Sequence, residues 1–185
     1  MGAKRSNQAH AIRKENLLPP SRFIPVGSIE WARSSRIPPP FIRPSKKKPR
    51  GNLKKGLDYE NAFAEYMEDR FEGFYVPHPW FQFKEIGREN TRWCQPDGLL
   101  FAPRLRRIYI VETKLKHTPD AWWQLRQLYL PVVANLFPPD LWDYCLIEVT
   151  KWYDPVTRFP EKIKLCPDVL SVQPGEFGVH IWKAR

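Results

Sequence analysis

The chain changes its hydrophobic rhythm several times, and each rhythm names an element. Leu99-Leu100-Phe101 and Ile108-Tyr109-Ile110-Val111 are short apolar runs rich in strand formers, and Ala102–Arg107 between them reads as a hairpin connection. Further strands are expected around Phe74–Phe83, over Tyr144–Trp152, and near Gly178–Trp182. Two segments run at the helical period instead. From Gly56 to Phe71, the residues Phe63, Met67 and Phe71 recur on one stripe. From Thr118 onward, Leu125, Leu128, Val132 and Val133 do the same. Thr118 suits an N-cap, Pro119 the first helical position and Asp120 the positive end of the dipole. This helix is expected to bend at Pro131 and to stop by Pro138-Pro139. Strands and helices interleave without an internal repeat, which predicts a mixed α/β body with a central sheet flanked by helices.

Polar residues interrupt this pattern where a strand should bury apolar groups. Antiparallel partners share a constant sum of residue numbers. A turn centred on Arg104 and Leu105 sets that sum at 209, which pairs Asp97 with Glu112. Opposed side chains have Cβ atoms roughly 4.5–5.5 Å apart, close enough for two carboxylates to chelate one hard cation. Alternation puts Lys114 one pleat further on, on the face shared by Leu99, Phe101, Ile108 and Ile110. A third carboxylate comes from upstream, because Glu60 precedes Phe63, Met67 and Phe71 by three, seven and eleven and so falls on their stripe. Each feature has a plain alternative. Pro96-Asp97-Gly98 is also a turn signal, Glu112-Thr113-Lys114 could be a solvated strand end, and the helix could start rotated at Glu60. Their coincidence on one apolar face favours a site, since a buried carboxylate pair without a cation repels itself.

Glu60 on the first helix, Pro96-Asp97 on one strand and Glu112-Thr113-Lys114 on the next resemble the PD-(D/E)xK nuclease superfamily over about Gly56 to Tyr129. The resemblance implies a restriction-endonuclease-like core and metal-dependent hydrolysis of phosphodiesters. It implies Asp97, Glu112 and Glu60 as metal ligands, with the carbonyl of Thr113 a further one, and Lys114 to orient or activate the attacking water. The implied cofactor is Mg²⁺, with Mn²⁺ as a substitute. Some branches carry a Gln early in the following helix with a Tyr four residues on. Here Gln124 is followed by Tyr129 at five, one residue out of step. Gln124, Lys116 and His117 are candidates for substrate contact, as are Lys46, Lys47, Lys48 and Arg50.

Charge divides the chain in two. Residues 1–55 hold 14 Lys and Arg against Glu15 and Glu30, a net of +12, whereas residues 56–185 hold 16 against 18, a net of −2. The first part also carries eight of the 20 prolines, which favours a basic, extended or disordered arm over a packed core. Within it, Phe23-Ile24-Pro25-Val26 and Ile29-Glu30-Trp31 are apolar enough to dock on the body or a partner. Such an arm suits sequence-independent contact with phosphates. Its alternatives are a solubilising tail or a mitochondrial presequence, the latter weakened by Glu15 and the prolines. Nothing resembles a secretory signal or a membrane span, so the expected setting is cytoplasmic or nucleoid-associated. Cys94, Cys145 and Cys166 are isolated, too few for a four-thiolate metal site, and their odd number argues against a secreted disulfide framework. Trp80, Trp93, Trp122 and Trp123 lie close to the candidate site in sequence and could stack on an unpaired base.

The sequence therefore predicts a single-domain, Mg²⁺-dependent deoxyribonuclease over residues 56–185. Structure-selective or recombination- and repair-related cleavage is favoured over sequence-specific restriction, because little chain remains for a base-reading domain. DNA is the expected partner, with RNA left open and a homodimer among the arrangements the resemblance allows. The competing expectation is a non-catalytic nucleic-acid-binding or structural nucleoprotein component that keeps a nuclease-like fold.

Overall fold

The structure, a computed structural model, describes residues 23–25, 27–39, 48–154, 164–167 and 171–184. The expectations for residues 1–22 and for Lys46 and Lys47 lie outside the described residues. The architecture is mixed α/β, built around the ten-residue strand β6 (Arg107–Lys116). Its centre is covered on both sides, as its unbroken apolar run requires. Ile108 and Ile110 face one layer, Tyr109 and Val111 the other.

β6 sits inside a six-stranded mixed sheet. On one side it pairs antiparallel with β5 (Gly98–Ala102), which pairs antiparallel with β2 (Tyr75–Pro77). On the other side it runs parallel to β7 (Asp143–Trp152), followed by β9 (Phe177–Ile181) and β8 (Lys164–Cys166), also parallel. A parallel neighbour needs a crossover connection. Here it is helical, comprising α2 (Pro119–Gln124), a π turn (Leu125–Tyr129) and α3 (Leu130–Leu136).

Each face of the sheet has its own core. Helix α1 (Gly51–Arg70) lays Tyr59, Phe63, Ala64 and Met67 on Leu100, Tyr109, Val111 and Ile147. The expected stripe is present, although the helix begins five residues before the expected Gly56. The α2–α3 segment covers the opposite face with Trp122, Leu125, Val132 and Val133. A second, three-stranded sheet completes that layer through Phe81 and Phe83, with β3 (Trp80–Glu85) between β1 (Ile29–Ser35) and β4 (Thr91–Cys94).

One sequence expectation changes here. The single strand over Phe74–Phe83 is two, because the chain turns at His78, whose φ of 47° no extended strand tolerates, and Pro79 follows. Part of the arm is packed into the body, at the two apolar segments expected to dock. Ile29–Ser35 pairs antiparallel with β3, and Phe23 and Ile24 are buried in the core beneath α2 and α3. Pro131 explains how they attach. Lacking an N–H, it cannot bond the carbonyl of Gln127 four residues back. The Ile24 N–H takes that carbonyl at 2.9 Å.

Gly98 is required by space. A Cβ there would lie 1.9 Å from Tyr75 Oη and 2.4 Å from Cζ, in a ring that is itself buried under α1. Gly98→Ala is expected to destabilise the protein by about 1–3 kcal/mol through overpacking, read as a lowered denaturation midpoint. An unchanged midpoint would contradict this account of the β2–β5 contact.

Candidate active site

The last hydrogen-bonded pair of the β5–β6 ladder is Gly98↔Val111, and the polar residues begin one step beyond it. There the apolar walls end and side chains from both faces of the sheet can meet. The pairing sum is 209, as the hairpin pattern predicts, with Pro103–Leu105 and left-handed Arg106 making the connection. Asp97 therefore arrives beside the end of β6. Its Oδ2 accepts from the Thr113 N–H at 2.6 Å and from Thr113 Oγ1 at 2.7 Å, and its carbonyl accepts from the His78 N–H at 3.0 Å. Thr113, expected to offer its carbonyl, thus acts here through its N–H and hydroxyl.

Glu112 is only 3% exposed. Its Oε1 accepts from Lys114 Nζ, while Oε2 is buried without a hydrogen-bond partner. Burial first, then the charge of Asp97, pushes its carboxyl up to about 8 against the pull of Lys114. Asp97 is also raised, by burial and then by Glu60, with the Thr113 hydrogen bonds opposing. Burial alone would lower Lys114, but the charges of Glu112, Asp97 and Glu148 outweigh it and hold the ammonium above its ordinary value.

Glu60 reaches the same end of the sheet from α1. Its Oε1 lies 3.2 Å from His78 Nδ1, and the hydrogen bond it accepts from the imidazole is the main cause of a raised His78. Ligand atoms of Glu60, His78 and Asp97 all fall within 4.8 Å of one another, an arrangement able to hold a cation. Glu112 stands outside this group, its nearer charge partner being Lys114. The sequence pattern missed His78. Its signal was the Pro79 that breaks an otherwise continuous strand pattern.

Glu148 was missed as well. It is the direct partner of Glu112 across the parallel β6–β7 ladder, while Asp97 lies just before β5 on the other side of β6. Its Oε2 lies 2.6 Å from His117 Nδ1, and its Oε1 accepts from the Thr118 N–H at 3.2 Å. Both side chains are fully buried. The expected contact of His117 with a substrate phosphate has no surface to use. The Thr118 side chain makes no cap hydrogen bond; instead the Thr118 N–H is tied to Glu148 from β7.

The five-residue spacing of Gln124 and Tyr129 meets a compensating feature. A π turn spans Leu125–Tyr129, adding one residue to the turn, and Gln124 Nε2 lies 3.4 Å from Tyr129 Oη. Burial, then the charges of Glu112 and Asp97, with a hydrogen-bonding interaction toward Glu112, raise the Tyr129 phenol. Of the other candidates, Lys116 is exposed at the end of β6, and Lys48 and Arg50 are exposed just before α1. Trp122 and Trp123, proposed as base-stacking residues, are core. Cys94, Cys145 and Cys166 are all free and buried, and Cys94 and Cys145 are pushed up to about 12, by burial first.

No known protein family, curated protein or solved structure matches this chain.

The raised carboxyl of Glu112 has a sign in the stability of the metal-free protein. A folded value near 8 above an ordinary 4.5 means that the folded form keeps a proton the unfolded chain gives up. The stabilisation is complete below about pH 4.5 and is lost as pH rises through about 8; Asp97 and His78 shift in the same sense. With chelator present, Tm is expected to fall on the order of 5–10 °C between pH 5 and pH 9, and Glu112→Gln is expected to flatten most of that slope. Parallel profiles for the two proteins would refute the assignment.

Proposed function

We propose that this chain is a metal-dependent nuclease that hydrolyses DNA phosphodiester bonds, acting on particular DNA structures in recombination or repair. The observation that carries the reading is the state of Glu112, a buried carboxylate beside Asp97 with one oxygen on Lys114 and the other unpaired. A buried carboxylate without its full set of partners costs several kcal/mol and calls for a proton or a cation. The arrangement also supports the restriction-endonuclease-like assignment of the core, in which an antiparallel hairpin and a helical crossover to a parallel strand present the acids at one sheet end.

The available donors suit a hard divalent cation. Asp97, Glu60 and Glu112 offer carboxylate oxygens and His78 an imidazole, a set that accepts Mg²⁺ and also favours Mn²⁺. Bound there, the ion would supply Lewis-acid stabilisation of the phosphoryl oxygens and lower the pKa of water. The chain's own groups do the rest. Asp97 is held in one orientation by Thr113, and Lys114 carries a fixed positive charge toward the place where a scissile phosphate and its attacking water would lie. Behind it the Glu148 oxygens are engaged by His117 Nδ1 and the Thr118 N–H, so the hydrogen bond of Lys114 goes to Glu112.

The test is a substrate panel of linear, nicked, branched and single-stranded DNA with Mg²⁺ or Mn²⁺, run beside Lys114→Ala and Asp97→Asn. Cleavage of at least one substrate by the wild type, reduced about 10²–10⁴-fold in Lys114→Ala and lost without divalent metal, is expected. Binding without cleavage across the panel, or equal rates in wild type and variants, would replace this reading with that of a non-catalytic nucleic-acid-binding protein.

A further inference from the structure

A groove of about 800 Å³ opens at Lys114 and crosses the carboxyl ends of β6 and β7 toward the first turns of α1. Its lining is unlike the rest of the body. Lys55, Lys114, Lys116 and Lys151 face it, and its one acid, Asp58, is occupied by Lys54 at 2.5 Å. Among the described residues no carboxylate pairs with Lys55, Lys116 or Lys151. Trp152 lies in the same groove and is 57% exposed, without an aromatic neighbour among the described residues. It is not a loose side chain. It ends a strand opposite Lys116, and its carbonyl accepts from the His117 N–H at 3.2 Å and from Thr150 Oγ1 at 2.8 Å.

From this juxtaposition we infer that the groove binds an unpaired DNA strand, with Trp152 stacking on a base and Lys55, Lys116 and Lys151 on successive phosphates. Lysines alone would fit any polyanion. The indole decides the class, because a base can lie flat on it only where the strand is not paired, whereas a duplex keeps its base faces stacked inside. The position agrees with the general placement of ligands beyond the carboxyl ends of parallel strands. The inference rests on the nuclease reading only in that Lys114 joins the groove to the proposed active site. It adds the substrate class, a single-stranded region such as a flap, gap or displaced strand.

The test measures binding by the full chain in EDTA, so that cleavage plays no part. Labelled single-stranded and duplex oligodeoxynucleotides of the same length are titrated at several salt concentrations against wild type, Trp152→Ala, Trp152→Phe and Lys116→Ala/Lys151→Ala. Folding of each variant is checked by its melting temperature. Trp152→Ala is expected to weaken single-strand binding by about five-fold or more while leaving duplex binding unchanged, and Trp152→Phe to retain most of the affinity. The double lysine variant is expected to lower the salt slope for the single strand by roughly 0.7 for each lysine removed. Folded variants that bind the single strand as the wild type does, or a Trp152→Ala loss equal on duplex and single strand, would overturn the inference. A wild type that binds as described yet cleaves nothing with metal would overturn the nuclease reading and leave the groove standing.

Discussion

Glu112 is carried into an apolar wall by the register of the β5–β6 hairpin, and the surroundings must answer the cost of that burial. The comparison with Glu148 shows how. The two carboxylates are direct partners on adjacent parallel strands and are almost equally hidden from solvent. Glu148 has both oxygens engaged, one by His117 and one by the start of the following helix. Its charge is absorbed by structure. Glu112 has Lys114 on one oxygen and no close hydrogen bond on the other, with only the Tyr129 phenol turned toward its carboxylate, next to an Asp97 whose Oδ2 is already committed to Thr113. Desolvation of an incompletely partnered carboxylate is met by proton uptake or by a cation. Between these acids the unmet demand is thus concentrated at Glu112, beside Lys114.

A proline in the crossover helix shapes the layer that covers this face of the sheet. Pro131 cannot donate to Gln127, and the helix opens into a π turn over Leu125–Tyr129 before resuming. Two consequences follow from the one irregularity. The free Gln127 carbonyl receives the Ile24 N–H, which ties the chain before β1 to the body. The wider turn also brings Tyr129 round to Gln124 and toward the carboxylates, which a regular helix with this spacing would not do. The anchoring of the N-terminal segment and the position of a phenol over the site thus share a physical cause.

What the sequence discloses here depends on how local the determining physics is. A hairpin register needs only a turn centre and a period of two, so the order of residues alone places Asp97, Glu112 and Lys114. Glu60 follows from helical offsets to Phe63 and Met67. Glu148 is different, because its relation to Glu112 is set by a parallel pairing across a long crossover, and no short pattern specifies that register. His117 misleads for the same reason. Its neighbourhood in sequence is Lys114, but its neighbour in space is Glu148. The strand Ile29–Ser35 lies within a basic, proline-rich segment whose composition argues against order, and only pairing with β3 reveals it. Trp152 was hidden among eight tryptophans because exposure is a property of the assembled surface.

Net charge is a sum, whereas a nucleic acid responds to the local field. Residues 56–185 total −2, which by itself points to the arm as the seat of any phosphate contact. The helix α1 shows why the total misleads. Lys54 and Lys55 occupy its first turns, while Glu65, Glu68 and Asp69 stand exposed near its far end, so one element carries both signs apart. The groove takes its lining from the basic end and adds Lys116 and Lys151 from the sheet, with Asp58, paired to Lys54, as its one acid. Lys48 and Arg50 lead directly into that end of the helix. Positive charge is therefore not confined to the arm. The positive track begins in the arm, continues along the first turns of α1 and ends at Lys114, where the unsatisfied carboxylate begins.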